Sequence, residues 1–137
     1  MNGGLLSSPA GEAIVGLTDF EFNWVKGPEG DNDHKGSITY NLNISPATQD
    51  DGSIDGFCEI RLARTGYKFD NFEIFARYYY GQKTGASQPR NRRTWERNLA
   101  RGVIWTKFAE LARMAAVNAG SNPYDIPLLP DKVHYEE

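Results

Sequence analysis

Apolar and polar side chains alternate through most of residues 17–80, the signature of strands buried on one face. Phe20, Phe22 and Trp24 fall on one side, against Asp19, Glu21 and Asn23. A polar loop through residues 27–36 follows, rich in Gly and Asp. Ile38, Tyr40, Leu42 and Ile44 then face one way, and after a turn at Asp51-Gly52 so do Cys58, Ile60 and Leu62. A fourth strand over 68–80 aligns Phe72, Ile74, Ala76, Tyr78 and Tyr80, with Phe69, Glu73, Phe75, Arg77 and Tyr79 opposite. Four such strands predict an antiparallel meander with one buried face.

Beyond a basic linker, 81–93, the period lengthens to that of a helix over 94–120, with Thr94 as N-cap and Gly120 as the stop. Ile104, Trp105, Phe108, Leu111, Ala112, Ala115, Ala116 and Ala119 make one apolar stripe. Trp95, Leu99 and Val103 fall nearly opposite it, and Gly102 sits at the switch. Either a kink or burial on two sides reconciles the halves, and both favour association. The stretch 121–137 carries Pro123, Pro127 and Pro130 among apolar residues and reads as an extended tail. The chain is thus one domain of class α+β. A flexible segment 1–16 precedes the sheet 17–80, followed by the linker, the helix and the tail.

With 137 residues the chain is long enough for its own core, and its composition excludes collagen, coiled coil and wholesale disorder. No apolar run reaches membrane-span length and no secretory signal stands at residues 1–11, so a cytoplasmic protein is expected. The net charge of −3 is polarised. Residues 83–113 hold eight basic and two acidic side chains, and the acidic excess lies elsewhere.

Catalytic and metal chemistry lack candidates. Lys35 and Leu42 stand where a calcium loop over 31–42 needs oxygen ligands, and His34 and His134 have no spaced partner. The single cysteine, Cys58, alternates with Ile60 and Leu62 and reads as core. No phosphate-binding glycine motif occurs. The expectation is a non-enzyme with no cofactor and no metal. What remains is aromatic surface, because Phe57, Phe75 and Tyr79 lie opposite the buried rows, where one helix cannot also cover them.

Phe57-Cys58-Glu59-Ile60, Ile104-Trp105-Thr106-Lys107-Phe108-Ala109 and Ile126-Pro127-Leu128-Leu129-Pro130 with Val133 and Tyr135 resemble three stretches of the SecB-type protein-export chaperones. The order of elements is similar too. The likeness spans about residues 17–135, although Thr106-Lys107 replaces the family's Pro-containing pair and Pro130-Asp131 its double proline. The resemblance implies a dimer of dimers acting as an ATP-independent holdase, with unfolded polypeptides as clients. It also implies an export motor or a toxin–antitoxin pair as a further partner. Phe75, Tyr79, Trp105, Ile126 and Leu128 are the expected client-binding residues. Phe57, Cys58, Ile60, Trp95 and Leu99 are the expected oligomer interface. One alternative is a nucleic-acid-binding sheet, in which Tyr78, Tyr79 and Tyr80 stack on bases and basic residues of 83–101 contact phosphates. A second is a structural or adaptor subunit of an oligomeric or phage assembly.

Overall fold

A computed structural model describes residues 7–8, 11–27, 36–83, 88–120 and 134–135. Strands β1 (Ser7–Ser8), β2 (Gly11–Trp24), β3 (Ser37–Thr48), β4 (Ile54–Thr65), β5 (Phe72–Gln82) and β6 (His134–Tyr135) form one sheet in the order β1-β2-β5-β4-β3-β6. The four long strands are antiparallel, and a helix follows them, α1 (Arg92–Leu99) leading through residues 100–104 into α2 (Trp105–Asn118). The α+β class is as expected. The meander, however, is confined to β3, β4 and β5. β2 pairs with β5, the strand order of a Greek key. Connection length accounts for this: short turns at 49–53 and 66–71 hold β3, β4 and β5 together, while the longer 25–36 lets the chain start its second strand at the far edge.

Residues 11–16, expected to be flexible, belong to β2 instead. A bulge between Leu17 and Asp19 hides them from a simple alternation count. It sets Val15 and Leu17 opposite Tyr80 and Tyr78, and Phe20 and Phe22 opposite Ala76 and Ile74. One face therefore carries odd positions before Thr18 and even positions after it. At the bulge, Thr18 Oγ1 donates to the Arg77 carbonyl at 2.9 Å. The fourth strand begins later than expected. Residues 68–71 are a loop in which Asp70 adopts φ 60° and the buried Asn71 side chain bonds both the N–H and the carbonyl of Tyr67.

The helix starts two residues early, because Asn91 and not Thr94 is the N-cap, its side chain accepting from the Thr94 N–H at 3.1 Å. It ends as the glycine predicts, with Gly120 at φ 84°. A π-helical turn, and not burial on two sides, explains the split stripe. Residues 100–104 form a π-helical turn, which holds one residue more than an α turn. Leu99 and Ile104 are thereby brought to one face, and Trp95, Leu99, Ile104, Phe108, Ala112 and Ala116 are all buried in a single row. That row packs on the sheet face carrying Leu42, Ile44, Cys58, Ile60, Leu62, Phe72, Ile74, Tyr78 and Tyr80.

The helix is also tied down by polar groups. Buried Glu96 accepts from the Tyr80 hydroxyl and from Arg92 Nε at 3.0 Å, and Arg92 reaches the Ala47 carbonyl and Thr48 Oγ1 at the β3–β4 turn. Gly56 makes room for this contact. A Cβ there would lie 2.5 Å from both the Ser45 carbonyl oxygen and the Tyr80 hydroxyl. Of the expected extended tail, residues 121–133 and 136–137 lie outside the described residues.

Candidate functional site

The sheet has a second face, away from the helix, and its composition follows from strand register. β4 and β5 pair Phe57 with Tyr79, Glu59 with Arg77, and Arg61 with Phe75. All six point away from the helix because their sequence neighbours are buried beneath it. Phe57 and Tyr79 meet edge to face, with ring centroids 5.8 Å apart. The Arg77 guanidinium lies 3.8 Å from the Phe57 ring centre and Arg61 lies 4.5 Å from that of Phe75. Each arginine thus roofs one aromatic ring. Asp19 on β2 and Glu59 on β4 are the cross-strand register neighbours of Arg77.

Beside Phe75 the twisted sheet forms a concavity of about 570 Å³, lined by Glu21, Asn23, Thr39, Asn41, Arg61 and Phe75 among others. At the other end of the aromatic row, the Gln49 side-chain amide approaches the Tyr79 hydroxyl at 3.5 Å. Burial, reinforced by the Asp55 carboxylate, raises the Tyr79 phenol above its ordinary range. It therefore stays a neutral hydrogen-bonding group at physiological pH. This face offers half-buried aromatic rings, side chains of both charges and a shallow groove. It can hold apolar side chains flanked by polar backbone.

The remaining expected site residues divide sharply. Trp105 is fully buried, its ring 5.2 Å from those of both Tyr40 and Phe108, so it holds the helix to the sheet and leaves the client-binding set. Cys58 and Ile60 lie under the helix of the same chain, and Trp95 and Leu99 are on that helix and buried against the sheet, so all four are core residues. They cannot form an oligomer surface. Phe57 is half-buried on the open face, beside Phe75 and Tyr79. Ile126 and Leu128 lie outside the described residues.

The tyrosine platform of the nucleic-acid reading is divided by the pleat. Tyr78 and Tyr80 are buried under the helix and only Tyr79 faces outward. Arg92 of the basic segment is spent on Glu96, Thr48 and the β3–β4 turn.

One surface was not anticipated. Leu17 (47% exposed), Met114 (62%) and Val117 (56%) are exposed apolar side chains, the first on β2 and the other two three residues apart on α2. Leu17 and Met114 line, with Val15, Tyr78, Leu111, Lys107 and Glu110, a groove of about 310 Å³. The signal for Leu17 was obscured by the bulge, and Met114 falls off the expected helix stripe. Among the described residues no three His, Cys, Asp or Glu side chains converge as a metal site, and no helix is long and apolar enough to cross a membrane. Comparison with family models, with curated proteins and with solved structures returned no match.

Proposed function

We propose that this protein is an ATP-independent holdase of the SecB type, which keeps unfolded or non-native polypeptides soluble in the cytoplasm. The observation that carries the reading is an antiparallel sheet that, among the described residues, a helix covers on one face, with Phe57, Phe75 and Tyr79 on the other. Apolar side chains of an unfolded client would bury against these rings. At roughly 25 cal/mol per Å² of apolar surface, a few such contacts give the moderate, reversible affinity that holding requires. Arg61 and Arg77 would swing aside or stack on client aromatics. Bound client is withdrawn from aggregation by mass action alone, so no nucleotide step enters. The resemblance would couple this activity to an export motor or a toxin–antitoxin pair.

The flank formed by Leu17, Met114 and Val117 would seat a second copy, giving the dimer from which a tetramer is built. It is mainly apolar, with Lys107 and Glu110 at its rim, and adjacent to the β2 edge, where, among the described residues, β1 pairs with Gly11 and Glu12. Under a two-fold axis such a patch meets itself.

The test is light scattering of a denatured client diluted with stoichiometric protein, at low and high salt. Suppression of aggregation, retained in high salt, is expected. The Phe57→Ser/Phe75→Ser/Tyr79→Ser variant, whose core is untouched, should lose at least about tenfold in potency, since three large rings contribute most of the apolar contact. Absence of suppression at several-fold excess sinks the holdase reading, and stable oligomers would then favour an adaptor subunit. Suppression abolished by salt would favour charge-driven binding.

A further inference from the structure

We propose that two copies of this chain pair through the outward face of the helix, antiparallel and in a single register, with Lys107 of each copy against Glu110 of the other. The inference rests on the reading that a second copy sits on the flank of Leu17, Met114 and Val117, and adds the direction and register of the pair.

Val103, Lys107, Glu110, Met114 and Val117 recur at intervals of four, three, four and three residues, the spacing of a heptad seam. At about 100° per residue they fall within roughly 80° of arc, opposite Phe108, Ala112 and Ala116, which pack on the sheet. Lys107, Glu110, Met114 and Val117 are exposed, and Val103 is half-buried. So short a seam would not hold up a free-standing coiled coil. Here the sheet already keeps the helix in shape, so the seam has only to supply association. Lys107, Glu110 and Met114 also line the groove of about 310 Å³ beside Leu17, so seam and flank are one surface.

Charge selects the arrangement. With a two-fold axis passing between residues 108 and 109, Lys107 meets the partner's Glu110 and Val103 meets the partner's Met114. The axis repeats both contacts, so apolar layers close the two ends of a seam whose centre holds two ion pairs. Sliding the helices by three residues sets either Lys107 or Glu110 against its own copy, with like charges opposed. A parallel pair would oppose both at once. Within one helix, a lysine that precedes its glutamate is the weaker order of such a pair, so these charges gain more across the seam. Polar groups in a seam lower affinity but fix register and partner, and they favour a second copy over an unrelated helix.

The experiment uses the full chain and two charge reversals, Lys107→Glu and Glu110→Lys, both at exposed positions. Each alone opposes like charges in both central layers and should weaken the dimer at least about tenfold by sedimentation velocity. Mixed one to one, the two variants should form a mixed dimer of near-parent affinity, because every central pair is again opposite in charge. The register is read by mixing Val103→Cys with Met114→Cys chains, which should cross-link under mild oxidation while neither does so alone. Cys58 is buried and stays out of that reaction. A dimer that neither reversal weakens, or that the mixture fails to restore, overturns the inference and leaves the second-copy reading standing. Absence of the cross-link overturns the register. A parent chain that stays monomeric overturns both readings of the flank, and the holdase reading is decided separately by light scattering.

Discussion

Tyr78 and Tyr79 are adjacent in sequence and opposite in environment, which the pleat alone decides. Tyr79 faces the open side, while Tyr78 lies under the helix, directly opposite Cys58 on the neighbouring strand. Burial pushes the Cys58 thiol up to about 12 from an ordinary value of 9.0, and the charge of Glu59 adds to this. Burial, with Cys58 beside it, pushes Tyr78 up to about 12 from 10.0. Both folded-state values are raised, so the folded form favours the protonated groups. Their contribution to stability is fully present below the ordinary values and is lost as pH rises through about 9 toward about 12. Urea midpoints should therefore hold steady near neutral pH and fall across that window. Cys58→Ala should start lower by about 1 kcal/mol for the small cavity, yet fall less steeply in alkali. An equally steep fall in the variant would show that other groups govern alkaline unfolding. The alternation of Cys58 with Ile60 and Leu62 made its burial legible from sequence. The burial of Glu96 was not, because a carboxylate belongs inside only when partners such as Tyr80 and Arg92 arrive from elsewhere.

A strict 3.6-residue period splits the apolar residues of the helix into opposed halves. The π turn at 100–104 inserts a single residue and restores one buried row, so the apparent second face does not exist. Gly102 is exposed in this turn and has open space about its Cβ position. Deleting it would place Trp95, Leu99, Ile104 and Phe108 at regular four-residue intervals, as one uninterrupted α-helix requires. The deletion is therefore expected to fold, with a melting temperature within about 5 °C of the parent. Inserting one alanine beside Gly102 instead should rotate α2 by about 100° and bury polar residues, lowering stability by several kcal/mol. Unfolding of the deletion variant would mean that the π turn has some role other than phase correction. The β2 bulge is the strand counterpart, one residue that shifts the parity of the buried face and hid residues 11–16 from a period-two count.

At the scale of the whole molecule, the proposed dimer would form through the flank of Leu17, Met114 and Val117. Leu17→Glu/Met114→Glu replaces exposed side chains and should leave the fold intact, while shifting the mass in solution to that of a monomer. Light scattering coupled to size-exclusion chromatography reads this directly. An unchanged oligomer would place the interface elsewhere, and a parent chain already monomeric would remove the dimer. What the sequence by itself determined is whatever depends on neighbours along the chain. Alternation set the strands β3, β4 and β5, Gly120 set the end of the helix, and the residues opposite Cys58, Ile60 and Tyr78 could be assigned to the other face. The tertiary structure alone decided which strands are neighbours, since pairing β2 with β5 depends on a long connection and not on any local pattern. It also decided that one helix face suffices for Trp95 through Ala116, and that Trp105 closes the core rather than a groove. Those outcomes rest on contacts between residues far apart in the chain, where burial and hydrogen bonding choose among arrangements that local periodicity leaves equal.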